Sequence, residues 1–292
     1  MRNSTENIYR QKVNQVIDYI SANLHLPLQL NVIADQINVS QRQLLRIMRS
    51  ALNESLYAYV ARQRTERAIL YMQTEKMSLT RLSEMVGYDN PQSFSKAFKK
   101  QFGMSPKAYV NKVQSQLEDY MESSENGNSF PSEICHFEGL ELVYVRIFGK
   151  YGEENTYQTA WDKLMQFLKE NQALTYKTRF IGLSFDNPNV TNSHQCRFYA
   201  CASVEKKITP VGDFGTIRLQ QGMYAVYTLK GSYSNLQEPY NNINTNLEYN
   251  IRHGMTFEEY INYEKENGEE AITKIYIPIN IETTIFKQPS LF

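Results

Sequence analysis

Arg42, Arg46 and Arg49 recur at steps of four and three in QRQLLRIMRSAL, and Gln92, Lys96 and Lys99 recur at the same steps in PQSFSKAFKKQF. Residues so spaced share one face of an α-helix, because each residue turns the chain by about 100°. Leu44, Ile47, Met48 and Ala51 fall on the opposite face of the first stretch, and Phe94, Ala97, Phe98 and Gln101 on that of the second. Those are expected core positions, which leaves the cationic face outward. Arg can pair with guanine O6 and N7, Gln with adenine, and Lys with guanine or phosphate, so this face suits the major groove of duplex DNA. The candidate DNA contacts are Gln41, Arg42, Arg46, Arg49, Gln92, Ser93, Lys96 and Lys99. A second constellation lies in FEEY at 257–260, where strand alternation puts Glu258 and Tyr260 on one face and Phe257 and Glu259 on the other.

The elements that position the first set are duplicated. A shift of 50 residues aligns QRQLLRIMRSALNESLYAYV with PQSFSKAFKKQFGMSPKAYV, with Ser55/Ser105, Ala58/Ala108, Tyr59/Tyr109 and Val60/Val110 identical. Upstream, a shift of 49 pairs Leu30, Ile33, Ala34 and Ile37 with Leu79, Leu82, Ser83 and Val86. Each copy reads as helix, short turn, helix. Gly87 permits a positive φ in the second turn, and Asn38 stands in its place in the first. Residues 1–120 hold 16 Lys and Arg against 10 Asp and Glu, while the remainder hold 15 against 21. The two halves thus carry opposite charge, which suits a polyanion-binding half joined to one of different function.

Between Ser115 and Glu133 the chain turns polar and acidic, as a linker does. Beyond it, runs such as LELVYVRIFG, RFIGLSFD, RFYACASV, GMYAVYTLKG and ITKIYIPINI read as strands, interleaved with two amphipathic helical stretches. The second half is therefore α+β, after an all-α first half. VYVRIFGKY at 143–151 matches AVYTLKGSY at 225–233; a helix comes after each, with Tyr157, Ala160, Trp161 and Leu164 in the first and Tyr240, Ile243 and Leu247 in the second. Two strand-helix-hairpin repeats are implied.

Several classes are disfavoured. The chain lacks a run of about 18 apolar residues and a secretory-type N-terminus, so a cytoplasmic protein with no membrane partner is expected. Cys135, Cys196 and Cys201 form no CxxC pair, and the four histidines lack ligand spacing. Neither a metal nor another cofactor is expected, and no residue is assigned a catalytic role.

LTRLSEMVGYDNPQSFSKAFKKQFGMSPKAYV resembles the AraC/XylS-type transcriptional regulators, with Tyr88 in place of the usual Phe and Val110 where Arg is common. The resemblance implies a seven-helix DNA-binding domain over 8–114, with two helix-turn-helix units joined by a long helix near Leu56–Gln73. After the linker at 115–133, residues 134–288, with IGLSFDNPNVT, CRFYACASV, FEEY and IYIPI, resemble the GyrI-like effector-binding domain; Tyr199 stands where an acidic residue is common. In that family the FExY element carries an inward Glu, which Glu258 matches. A buried carboxylate ringed by aromatics favours a lipophilic cation, with Tyr260, Tyr151 and Trp161 as walls. The implied function is a regulator in which a small-molecule effector alters promoter binding or contact with RNA polymerase. Two alternatives remain for the second half: a hydrolase in which Glu258 and Tyr260 activate water, and a protein-binding module.

Overall fold

The computed structural model describes residues 2–74, 77–123, 131–151, 153–231, 240, 250–252, 254–262 and 270–280. Ile243 and Leu247 of the second expected helical stretch, Tyr233 of the matched strand run, and 281–288 of the expected second domain lie outside these residues. The chain divides into two compact units, a helical one spanning Met1–Glu125 and a sheet unit built mostly from residues 126–292.

Among the described residues the helical unit has seven helices: α1 (Arg2–Ala22), α2 (Leu30–Gln36), α3 (Gln41–Leu52), α4 (Leu56–Thr74), α5 (Leu79–Met85), α6 (Pro91–Phe102) and α7 (Pro106–Ser123). The duplication is visible in how the helices start and stop. Ser40 Oγ accepts the Gln43 amide at 3.2 Å to cap α3, and Asn90 Oδ1 accepts the Ser93 amide at 2.8 Å to cap α6. At the other ends Asn53 (φ 56°) and Gly103 (φ 73°) take the left-handed conformation that closes a helix. The two turns, at Asn38 (φ 50°) and Gly87 (φ 86°), are left-handed as expected. Gly87 is constrained twice, since a Cβ there would lie 2.6 Å from the Leu24 carbonyl oxygen.

The α4 helix packs against α3, α5 and α6. Around its second half Ala68, Ile69, Leu82, Val86, Phe94 and Phe98 form a buried cluster. Phe98 sits at its centre, with ring centroids 5.7 Å from Phe94, 4.6 Å from Phe102 and 5.6 Å from Tyr109. These rings face inward between the lysines of α6. Two expected core positions are corrected. Ala51 is exposed, because α3 ends one residue later, and Gln101 is half-buried and hydrogen-bonded to α4. Helix α7 also continues to Ser123, through part of the segment expected as linker.

The sheet unit contains β1 (Ser132–Phe137), β2 (Leu140–Phe148), α8 (Glu154–Glu170), β3 (Phe180–Ser184), β4 (Arg197–Ser203), β5 (Phe214–Leu219), β6 (Gly222–Lys230), β7 (Asn250–Ile251), β8 (Phe257–Tyr260) and β9 (Ile272–Asn280). The strands run in the order β1-β6-β9-β8-β3-β4-β2-β5, and β7 pairs with β9. β3–β4 and β8–β9 are antiparallel, and β8 also pairs antiparallel with β3. Helix α8 covers β2 and β4. The side away from α8 buries Leu142, Tyr144, Ile181, Tyr199, Tyr224, Phe257 and Tyr276 among others.

Gly87→Ala should destabilise the helical unit by about 1–3 kcal/mol, since it adds a left-handed non-glycine residue and a backbone clash. Asn38→Gly should change stability by no more than about 0.5 kcal/mol, because glycine accepts the same φ. Urea unfolding followed by far-UV circular dichroism distinguishes the two.

Candidate functional site

All eight candidate DNA contacts are exposed: Gln41, Arg42, Arg46 and Arg49 on α3, and Gln92, Ser93, Lys96 and Lys99 on α6. The opposite faces bury Leu44, Ile47 and Met48 in α3 and Phe94 and Phe98 in α6. Burial of these side chains, at about 1.5–3 kcal/mol each, holds the cationic faces outward. Among the described residues Arg42, Arg46, Arg49, Lys96 and Lys99 take part in no ion pair. Their charges are available to an external anion. Gln43 is held away from that role, its Nε2 donating to the Tyr9 hydroxyl at 3.3 Å.

In the sheet unit, Glu258 and Glu259 are adjacent on β8, and both are buried. Strand alternation sends them to opposite faces, where they meet different partners. Arg179 donates from Nε to Glu259 Oε1 at 2.6 Å and from NH2 to Oε2 at 2.7 Å, and the Tyr276 hydroxyl adds a third bond at 2.8 Å. Those hydrogen bonds to Glu259 hold the Arg179 guanidinium above its usual pKa against the opposing effect of burial. Glu259 is a neutralised, satisfied acid.

Glu258 lacks such a partner. The Tyr240 hydroxyl donates to Oε1 at 2.9 Å and the Tyr260 hydroxyl to Oε2 at 2.6 Å, and among the described residues no basic side chain pairs with it. Burial pushes the carboxyl above the ordinary range, while the two tyrosine hydrogen bonds oppose the rise. Burial and the nearby Glu258 charge also raise both phenols.

Aromatic rings surround this acid. Trp161 meets Tyr260 edge-on at 5.5 Å between centroids, and Phe198 lies 4.3 Å from Tyr157 and 6.3 Å from Trp161. Space for the Tyr260 hydroxyl comes from Gly182, directly opposite Glu258 in the β3–β8 register. A Cβ at Gly182 would collide with that hydroxyl and lie 3.0 Å from Phe198. The structure thus brings Glu258, Tyr260 and Trp161 together. Tyr151 is spoken for by backbone: its hydroxyl donates to the Arg197 carbonyl at 2.9 Å and accepts the Asp186 amide at 3.0 Å. The adjacent Asp186 and Arg197 form a buried pair, with Arg197 NH2 2.7 Å from Asp186 Oδ1.

Sequence reasoning does not place Tyr240, Gly182, Tyr157 or Phe198 at Glu258. A glycine inside the strand run RFIGLSFD is a usable signal, since such a glycine marks close approach of a neighbouring group. Among the described residues no group of three or more His, Cys, Asp or Glu is arranged to hold a metal ion, and no helix is long and apolar enough to cross a membrane.

Comparison with known proteins gives the same two-part division. Residues 33–112 match the helix-turn-helix domain family, and residues 130–280 match the GyrI-like small molecule binding domain family. The Msm operon regulatory protein of Streptococcus mutans is 34% identical over 102 residues, which are 35% of this chain and 37% of that protein. Regulatory protein SoxS of Salmonella typhimurium is 24% identical over 105 residues, 36% of this chain and 98% of that protein. The first curated relatives are matched over about a third to a half of their own length. Among solved structures, the C-terminal domain of AraT, a response regulator from Geobacillus stearothermophilus, has 30% identity and a TM-score of 0.34, covering 35% of this chain and 84% of that one. The EcmrR chain of an EcmrR–DNA complex has 14% identity and a TM-score of 0.46, covering 87% of this chain and 99% of that one. With more than half of its length matched, the chain belongs to the GyrI-like small molecule binding domain family, and it carries an AraC-type helix-turn-helix domain ahead of that domain.

Proposed function

We propose that this chain is a ligand-responsive transcription regulator, in which α3 and α6 bind duplex DNA and the sheet unit takes a small lipophilic cation at Glu258. The observation that carries the ligand half is the contrast between the two acids of β8. Glu259 has the Arg179 guanidinium as its counter-ion, whereas among the described residues Glu258 is met by two neutral hydroxyls and no basic side chain. A bound cation supplies the missing charge, and the surrounding rings add cation–π attraction. The unpaired cations of α3 and α6 support the DNA half. Ligand occupancy then shifts DNA binding, or contact with RNA polymerase in the cytoplasm, through differential affinity for two states.

The same proposal divides the chain into a DNA-binding part at 8–114, a connection at 115–133 and an effector-binding part at 134–288. The sheet order supports a duplicated effector domain, because β6-β9-β8 and β2-β4-β3 mirror each other about the β8–β3 pair. In this proposal β2 and β6 each begin one repeat, the second repeat's helical stretch lying mostly outside the described residues.

Binding of duplex DNA, followed by fluorescence anisotropy, should weaken steeply with salt, log K falling by about 0.9 per phosphate neutralised for each unit of log salt. Arg46→Ala should cost about 1–3 kcal/mol on a specific site while leaving non-specific binding nearly unchanged, and Lys99→Ala should weaken all sequences alike. Salt-independent binding, or an unchanged specific-to-non-specific ratio in Arg46→Ala, contradicts the assignment.

Glu258→Gln should weaken a cationic xanthene dye by about 2–5 kcal/mol in calorimetry and leave its neutral counterpart almost untouched. Because burial raises the Glu258 carboxyl, cation affinity in the wild type should be greatest where that carboxyl is ionised and fall as pH descends through its raised value, and Glu258→Gln should show no such fall. Turnover of a bound electrophile, lost in Glu258→Gln while binding persists, would instead indicate the hydrolase alternative.

A further inference from the structure

Helix α4 buries polar side chains along one side, with Arg62 and Gln63 less than one-tenth exposed and Thr65 fully buried. These residues form a continuous chain between the two helix-turn-helix units. It begins at Glu54, just after the left-handed Asn53 that ends α3. Arg62 donates from NH2 to Glu54 Oε1 at 2.6 Å and from NH1 to Glu66 Oε2 at 3.3 Å. Gln63 adds a bond to Glu66 Oε2 at 3.1 Å. Gln101, in the last turn of α6, then donates from Nε2 to Glu66 Oε1 at 3.3 Å, while its Oε1 lies 2.8 Å from Thr65 Oγ1, whose single proton is shared with the Ala61 and Arg62 carbonyl oxygens at 3.1 and 2.9 Å.

Both ends of the Gln101 amide are thus engaged by α4, which admits one orientation of the side chain. The rest of that α6 face, Phe94 and Phe98, is held by ring packing. Ring packing tolerates small rotations of a helix; a two-ended hydrogen bond does not. The acidic members raise a further constraint. Burial lowers the pKa of the Arg62 guanidinium, but the Glu54 hydrogen bond and the Glu66 charge more than offset it, so Arg62 stays charged between them. Removing one member leaves another partly buried and under-satisfied, which resists rearrangement of the whole chain.

We propose that Gln101 is a positioning residue which, through Glu66 and Arg62, fixes the orientation of α6 relative to α3 and thereby sets the half-site spacing that the protein accepts. The proposal rests on the DNA-binding reading above. Two recognition helices on one rigid frame can engage successive major grooves only at a separation close to one helical turn of DNA, about 34 Å. A directional tie between them converts a spacing error into lost contacts at one half-site. A frame held by apolar packing alone would tilt to accommodate it.

The test uses the full chain. A bipartite site is selected from a random duplex pool with the wild-type protein, and affinity is then measured on that site, on variants with one base pair inserted or deleted between half-sites, and on each half-site alone. The wild type should lose roughly tenfold or more on altered spacing. Gln101→Leu should keep wild-type affinity for the isolated half-sites and lose most of the spacing discrimination, and Glu66→Gln should act in the same direction. The double variant should be no worse than the stronger single one, since both interrupt one chain. Unchanged spacing discrimination in both single variants overturns the proposal. So does an equal loss on every site with a lowered melting temperature, which marks a purely structural role. A wild type that selects only a single half-site also overturns it while leaving DNA binding standing, whereas selection of no site at all overturns the DNA-binding reading itself.

Discussion

A carboxylic acid buried with no counter-ion among the described residues is the constraint on which the sheet unit depends. Taking an ionised acid out of water costs several kcal/mol unless hydrogen bonds or an opposite charge compensate. Glu258 has two tyrosine hydroxyls and nothing stronger among the described residues. Keeping it there requires the rest of the geometry. β8 lies between β9 and β3, so the Glu258 backbone is paired on both sides. Gly182 opposite it leaves room for the Tyr260 hydroxyl, and Trp161 from α8 backs the Tyr260 ring. Each feature would be wasteful in a sheet meant only to be stable, because an apolar residue at 258 would pack without these requirements.

The helical unit obeys the opposite rule. Its cationic side chains on α3 and α6 stay in water, while Leu, Ile, Met and Phe side chains on the facing sides are buried. Caps at Ser40 and Asn90 and left-handed ends at Asn53 and Gly103 limit both recognition helices to twelve residues. Polar groups that do enter the interior, from Glu54 through Arg62 and Glu66 to Gln101, are hydrogen-bonded to one another. One unit exposes its cationic side chains and the other buries a carboxylic acid, a contrast that suits the proposed polyanion and cation partners.

Much of this is legible in the sequence, and the exceptions have physical causes. The matched Arg and Lys faces, the left-handed turns at Asn38 and Gly87, and five of the nine strands among the described residues follow from local periodicity or from glycine and asparagine chemistry. β8 emerges likewise from alternation, which separates Glu258 from Glu259. Alternation alone does not say which acid is neutralised; that depends on Arg179, about 80 residues away in the chain, reaching Glu259. Tyr240 reads as a helix-face residue, and its bond to Glu258 is a tertiary contact with no local signal. The strands β1 and β5 escape a sequence reading because their inward and outward residues alternate weakly. Helical angle alone assigns Ala51 and Gln101 to the core. Angle takes no account of where a helix ends, or of a polar partner such as Glu66 across the interface.

The central claim is that Glu258 is a buried acid awaiting a positive charge. Calorimetry of a cationic xanthene dye in buffers of differing ionisation enthalpy counts the protons exchanged on binding. A cation beside Glu258 lowers its raised pKa, so binding should release up to one proton at pH values between the ligand-bound and ligand-free pKa, falling towards zero as pH rises above the ligand-free one, with no release in Glu258→Gln. Cation binding with no proton release at any pH, or with the same release in Glu258→Gln, would contradict the account.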